Sequence, residues 1–230
     1  MNHLRQLAIK QQNGCVNKFF TIILLLTFIF IHKYTYSQDE YELDTLSRND
    51  FIIYSAGGIG FYYLIHNDPQ SDLKITASTI INFGVSYDIT SRLNVAFELS
   101  KLNFPSNKDS LEEAKGSLTG LTFRYKTLKS KKTNIYLGLS TGTSNFKYFN
   151  YKTSTKVTAS NIFLEPNIGF NHYWGKTVGF FIQTSYYYTN YNRIVNKENK
   201  PLKVIVNGKE ENFTLAFSGL KLLIGLQFKF

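Results

Sequence analysis

Residues Gly219 to Phe230 read GLKLLIGLQFKF, and their alternation decides the fold. Leu220, Leu222, Ile224, Leu226, Phe228 and Phe230 share one parity. Gly219, Lys221, Leu223, Gly225, Gln227 and Lys229 share the other. A period of two puts the two sets on opposite faces of a strand. One face is wholly apolar; the other is small, polar or charged, with Leu223 as the exception. The strand runs to the last residue and stops on an aromatic. A bare apolar edge of this kind invites aggregation unless it is paired, and a closed barrel pairs it with its first strand. The partner is therefore sought at the start of the folded region.

That region does not begin at Met1. Phe19 to Ile31 (FFTIILLLTFIFI) is an apolar run interrupted only by threonine, and it follows Arg5, Lys10 and Lys18. It is shorter than the ~20 residues of a membrane-spanning helix and matches the core of a signal peptide. Thr35-Tyr36-Ser37 supplies small residues for cleavage before Gln38. Residues 1–37 are read as a cleavable signal peptide and 38–50 as a polar N-terminal lead. Removing Arg5, Lys10, Lys18 and Lys33 lowers the formal charge from +10 to +6. The only cysteine, Cys15, leaves with the signal, which excludes disulfide, thiolate-metal and cysteine-nucleophile chemistry from the mature chain. The remaining cations sit mostly in turns such as Lys129, Lys131 and Lys132. No nucleic-acid module accompanies them, so no nucleic-acid partner is expected.

From Phe51 onward the chain alternates in segments separated by turn signals. Eight strands are expected: Phe51–Leu64, Ile75–Ile89, Leu93–Phe104, Ser117–Thr127, Asn134–Phe149, Asn161–Trp174, Val178–Tyr191 and the terminal strand. The connections at Thr90–Arg92, Leu128–Thr133 and Gly175–Thr177 are short. Those at His66–Lys74, Pro105–Gly116, Lys152–Ser160 and Asn192–Thr214 are long and richer in charge. Short turns on one rim, long loops on the other and an even strand number describe a transmembrane barrel. Asn207-Gly208, after Val204-Ile205-Val206, is a favoured hairpin turn, so the longest loop is expected to form a hairpin over the outer mouth.

A soluble eight-stranded barrel keeps its apolar face inside, whereas a membrane barrel turns that face to lipid. Here one face carries Phe83, Val85, Tyr87, Phe97, Leu99, Leu121, Phe123, Tyr125, Leu139, Ile168 and Trp174. The other carries Asn82, Gly84, Ser86, Asn94, Glu98, Gly120, Arg124, Gly138, Ser140 and Asn167. Glycine on a water-exposed strand face weakens the strand without return, but inside a narrow barrel it makes room for long neighbours. The apolar face is therefore the lipid face. Aromatics collect near strand ends: Tyr87, Tyr125, Trp174 and Phe230 by the short turns, and Tyr62, Tyr63, Phe104, Phe146, Tyr186 and Tyr188 toward the long loops. They are read as two interfacial girdles. The fold expected for 51–230 is all-β, an eight-stranded antiparallel transmembrane β-barrel.

With its signal peptide ending Tyr-Ser-Gln, the segment Leu164-Glu165-Pro166-Asn167-Ile168-Gly169-Phe170 and the terminal Phe230, the chain resembles the small outer-membrane β-barrels of the Bacteroidota. These are similar in architecture to the membrane domain of outer membrane protein A and to PorT-like barrels. The resemblance implies residence in the cell outer membrane, contact with its lipid and lipopolysaccharide, and delivery by the barrel assembly machinery. It makes Phe228 and Phe230 the C-terminal assembly signal. It shares a fold more than a function.

No catalytic, cofactor or metal residues are assigned. His66 and His172 are not spaced as metal ligands, and Asn171-His172-Tyr173 lacks the His-x-Ser-Asn motif of lipid A-deacylating barrels. Gly57-Gly58-Ile59-Gly60 is not followed by the Lys-Ser/Thr of a phosphate loop. Four charges, Glu98, Arg124, Glu165 and Lys221, have inward parity and are read as the only ones well inside the strands. A hairpin centred near Leu111 would set Glu98 across from Arg124, and Glu165 and Lys221 would meet at another height. The expectation is a plugged lumen in a non-enzymatic envelope protein whose long loops meet an unidentified partner outside the cell. The competing readings are a lipid A-modifying hydrolase, a small porin and a PorT-like component of secretion or gliding.

Overall fold

A computed structural model describes residues 50–67, 74–105, 112–130, 132–150 and 155–230. The expected signal peptide, residues 38–49 of the lead and parts of three long loops lie outside the described residues. In chain order the strands are β1 (Phe51–His66), β2 (Lys74–Asp88), β3 (Leu93–Phe104), β4 (Glu112–Lys129), β5 (Thr133–Asn150), β6 (Thr155–Tyr173), β7 (Val178–Tyr191), β8 (Ile194–Val195), β9 (Lys203–Val206), β10 (Lys209–Asn212) and β11 (Leu215–Lys229). Strands β1 to β7 and β11 form a closed antiparallel barrel, with β5 paired to β6 and β11 to both β7 and β1. The terminal strand closes on the first as its alternation requires: Ile53 stands opposite Phe228 and Phe61 opposite Leu220. The Phe230 amide donates to the Phe51 carbonyl at 2.9 Å, so the ladder reaches the last residue.

The two faces part as read. Phe61, Phe83, Leu99, Leu121, Leu139, Ile168, Ile182 and Ile224, one on each barrel strand, are among the exposed side chains of the outer wall. Water-soluble monomers rarely expose apolar patches beyond a few hundred Å², whereas a belt around the whole wall fits a bilayer. Leu223, the apolar exception on the inner parity of β11, packs inside with Ile52, Tyr54, Ala56, Ile80, Ala96 and Phe181.

Several strands run further than the alternation predicts. β4 starts at Glu112 rather than Ser117, and β6 at Thr155 rather than Asn161. The β4–β5 ladder continues to Glu112 opposite Asn150, and the β5–β6 ladder to Asn150 opposite Thr155. These extensions carry no apolar outer face, so alternation could not mark them; the neighbouring strand supplies the pairing. β6 outruns β7, and its upper end pairs instead with β8, Ala159 opposite Ile194 and Thr158 opposite Val195.

The longest connection folds over the mouth. β9 and β10 form the hairpin expected at Asn207-Gly208, whose residues take φ of 52° and 78°. Positive φ at both central positions is what a two-residue turn matched to strand twist requires. Ile194 is buried, and Leu202 and Phe213 pack against the cluster beneath, so this loop is tied to the barrel top. Asn67 adds to that tie: its side-chain amide donates to the Asn212 carbonyl, and its oxygen accepts from the Thr214 amide.

Candidate functional site: the filled lumen

Inside the barrel the side chains form two zones. Toward the long loops lies an apolar, aromatic cluster including Tyr62, Leu102, Leu118, Phe163, Tyr187 and Phe217. This corrects part of the expected outer girdle. Tyr62 is fully buried, Phe104 packs on it and on Phe217, and Phe146 packs on Phe104 and Phe217 within the lumen. Of the aromatics assigned to that rim, Tyr63 and Tyr188 are exposed on the outer wall. The inner parity of β1 (Ile52, Tyr54, Ala56) fixes the direction of Tyr62, so the signal was in the sequence.

Toward the short turns the lumen is polar and charged. Arg124 and Glu98 form an ion pair, the Arg124 guanidinium also donates to Tyr54 Oη at 2.9 Å, and Tyr54 Oη donates to Glu98 Oε1 at 2.5 Å. The guanidinium carbon lies 4.9 Å from the Tyr54 ring centroid and 5.2 Å from that of Tyr136, adding cation–π attraction. The register behind this contact differs from the one expected. Glu98 stands opposite Gly120, and Arg124 stands opposite Asn94. The hairpin turns earlier than the midpoint of its polar loop suggested, and the long arginine side chain spans the offset.

Lys221 and Glu165 meet from β11 and β6. The ammonium donates to Oε2 at 2.7 Å and Oε1 at 2.8 Å, and Ser185 Oγ donates to Oε1 at 2.6 Å. Their side chains are only 3% and 4% exposed, the most enclosed ion pair among the described residues.

A third pair was missed. Lys126 Nζ lies 2.5 Å from Asp88 Oδ2, both side chains being buried, and Asn94 Nδ2 donates to Asp88 Oδ1 at 2.8 Å. Glu98, Arg124, Glu165 and Lys221 are therefore joined in the lumen by a pair from the strand ends. Asp88 shares parity with Asn82, Gly84 and Ser86, and Lys126 with Arg124, and both stand near the short-turn ends of their strands. Below them Lys229 pairs with Asp50 at 2.9 Å.

The inner glycines explain how so much fits. A side chain at Gly84 would strike the Tyr54 ring, one at Gly60 the Tyr62 ring, and one at Gly169 the Tyr136 ring. Each glycine thus gives a tyrosine ring room to lie along the wall and carry its hydroxyl to a partner, as Tyr136 Oη does on Gln183 Oε1 at 2.8 Å. Small voids remain among the described residues, two of them of about 10 Å³ each. One lies among Glu98, Glu165, Lys221 and Ser140, the other among Tyr62, Tyr187, Phe146 and Phe217. Each has room for about one water.

The short-turn aromatics stand on the outer wall. Tyr87 is exposed at the end of β2, Arg92 Nη1 donates to Tyr125 Oη at 3.3 Å, and Trp174 is 59% exposed with its ring 5.5 Å from Phe180. Phe228 and Phe230 are exposed there too. His172 Nδ1 hydrogen-bonds Thr133 Oγ1 at 3.0 Å, and His66 packs near Phe213.

No family model and no curated protein sequence matches the chain. Solved structures do. The outer membrane protein OprG from Pseudomonas aeruginosa aligns over 80% of this chain and 97% of its own at 15% identity, with a TM-score of 0.53. Neisserial surface protein A aligns over 79% and 97% at 12% identity, with a TM-score of 0.51. At such identities the likeness carries the fold alone. Closed barrel, apolar belt and polar lumen together define the class: an integral β-barrel of the outer-membrane type.

Proposed function

We propose that this protein is a non-enzymatic component of the cell envelope, resident in the outer membrane, with a lumen plugged by its own side chains and long loops that meet a partner outside the cell. The observation that carries this reading is the packing of the lumen. Ion pairs at successive heights and an aromatic layer above them fill the described interior, and the voids between Glu98, Glu165 and Lys221 and between Tyr62, Tyr187 and Phe217 each have room for about one water. Eight strands enclose an interior just wide enough for side chains to fill, and unpaired charges in so narrow a space would be costly. The exposed β9–β10 hairpin is the part of the loops best placed to touch a partner. Phe228 and Phe230 serve as the signal read by the barrel assembly machinery, and Tyr87, Tyr125 and Trp174 anchor the wall at the periplasmic interface.

Planar-bilayer recording tests the plug. Wild-type protein should give no large, steady single-channel current, while Glu98→Ala and Arg124→Ala loosen the packing and raise leak. Steady conductance from the wild type makes the protein a small porin instead. Mass spectrometry of lipid A from a deletion strain tests the absence of enzymatic work, since an altered acyl pattern would establish the hydrolase. Capture of a secretion or gliding assembly on the hairpin from native membranes would establish the PorT-like role.

A further inference from the structure

The outer wall is not uniform around the barrel. On β1 the outward residues Phe61, Tyr63 and Ile65 stay apolar up to the long-loop rim. On β3 to β6 the apolar belt ends at Leu99, Leu121, Leu139 and Ile162, and the outward positions beyond are polar apart from Phe149 on β5. Four of them are lysines on adjacent strands: Lys101, Lys115, Lys147 and Lys156, all exposed.

Their register makes them one patch. Lys115 stands directly opposite Lys147 on the outward face. Lys101 is opposite Ser117, one step diagonal to Lys115, and Lys156 is opposite Phe149, one step diagonal to Lys147. Side chains directly across a ladder lie about 5 Å apart at Cβ and diagonal ones about 7–8 Å, and like charges directly opposite destabilise a sheet. The described residues of this face contribute one carboxylate, Glu113, which pairs with Lys115. One negative charge against four positive ones leaves an excess of three. A merely solvated wall has no need of two lysines face to face; a wall that meets a polyanion does.

The height fits an anionic headgroup. With a rise of ~3.3 Å per residue and a strand tilt of about 40°, the lysines stand from about 5 Å (Lys101) to about 20 Å (Lys147) beyond the belt. Long loops face outward in such barrels, so this is the level of the outer-leaflet headgroups and their first sugars. Exposed hydroxyls of Thr143 and Ser160 lie between the belt and the lysines.

We infer that Lys101, Lys115, Lys147 and Lys156 form a binding site for the phosphorylated saccharide headgroup of lipopolysaccharide on the β3–β6 wall. This rests on the outer-membrane reading above and names the surface by which that membrane's own lipid is held.

The test uses the full mature protein in detergent micelles, with deep-rough lipopolysaccharide (lipid A with a phosphorylated inner core) as the probe. Wild type should bind it. The K101Q/K115Q/K147Q/K156Q variant should bind at least about tenfold more weakly, because each surface lysine contributes to attraction for anionic lipid. A loop control, K197Q/K200Q/K203Q, should stay within about twofold of wild type, and dephosphorylated probe should bind wild type as weakly as the quadruple variant binds intact probe. Lys147→Gln alone should weaken binding yet raise the urea midpoint in lipopolysaccharide-free detergent, since it removes one of two opposed charges. Equal affinity of wild type and quadruple variant, or indifference to the phosphates, overturns the site. The heat-dependent gel shift of a folded barrel separates the two levels. A wild type that shifts but does not bind refutes this site alone, and a wild type with no shift refutes the membrane barrel itself.

Discussion

Lys221→Met is the most informative single change in the lumen. It keeps an unbranched side chain of similar length but removes the ammonium that donates twice to Glu165. Ser185 Oγ would remain as a donor to that carboxylate. Both partners are almost wholly enclosed. Breaking a buried pair from one side costs about 3–5 kcal/mol, because the remaining charge has no partner. With a urea slope of about 1–3 kcal/mol per molar, the midpoint should fall by roughly 2 M. The assay is equilibrium unfolding of the lipid-reconstituted barrel, followed by fluorescence of Trp174, the only tryptophan. Its indole is exposed on the outer wall and moves from lipid to water on unfolding. The compensating variant, Glu165→Gln with Lys221→Met, removes both charges and keeps an acceptor for Ser185. Replacing both members of a buried pair with neutral groups is often neutral or stabilising, so its midpoint should return to wild type or above. A single variant within about 0.5 M of wild type on the same slope, or a double variant no better than the single, would refute the claim that this pair is an enclosed, mutually dependent unit.

Three further outcomes are expected. Gly219→Val should prevent barrel closure, since a Cβ there would sit 2.0 Å from the Phe61 carbonyl oxygen in the β1–β11 ladder; absence of the heat-dependent gel shift after refolding checks it. Phe230→Ala should refold normally in vitro, because the Phe230–Phe51 bond is made by backbone, yet accumulate poorly in outer membranes of expressing cells; equal membrane levels would end the assembly-signal reading. Gly208→Val places a branched residue at φ 78° and costs about 1–2 kcal/mol there. It should speed hydrogen exchange in β9 and β10 while leaving the barrel's urea midpoint unchanged.

How far the sequence could be read depended on whether a residue's surroundings enforce the two-residue period. Within the bilayer they do, because one wall meets lipid and the other a packed lumen; Gly219–Phe230 is legible for that reason, down to its closure on Phe51. Beyond the belt nothing enforces the period, and Thr155–Ser160 read as loop although it is paired along β5. Register was harder still. Parity survives any shift by two residues, so Glu98 and Arg124 could be given the inner face without their true partners across the ladder being known. Asp88 and Lys126 have the inner parity, but they stand near strand ends, where parity alone does not separate an enclosed charge from a solvated one.

Sequence could not show what the inner glycines are for, because the reason lies on the next strand or two residues along the same one. Gly84 is opposite Tyr54 in the β1–β2 ladder, Gly169 is opposite Tyr136 in the β5–β6 ladder, and Gly60 precedes Tyr62 on β1. Each missing Cβ is filled by a ring, and two of those rings, from Tyr54 and Tyr136, flank the Arg124 guanidinium. The charge pair is thereby held without a wide polar space around it. A glycine enlarged at position 84 or 169 would push the ring off the wall and into the cation's place. Glycine, tyrosine and ion pair are therefore one packing unit, which is how a lumen this narrow can hold three ion pairs with so little room for water around them.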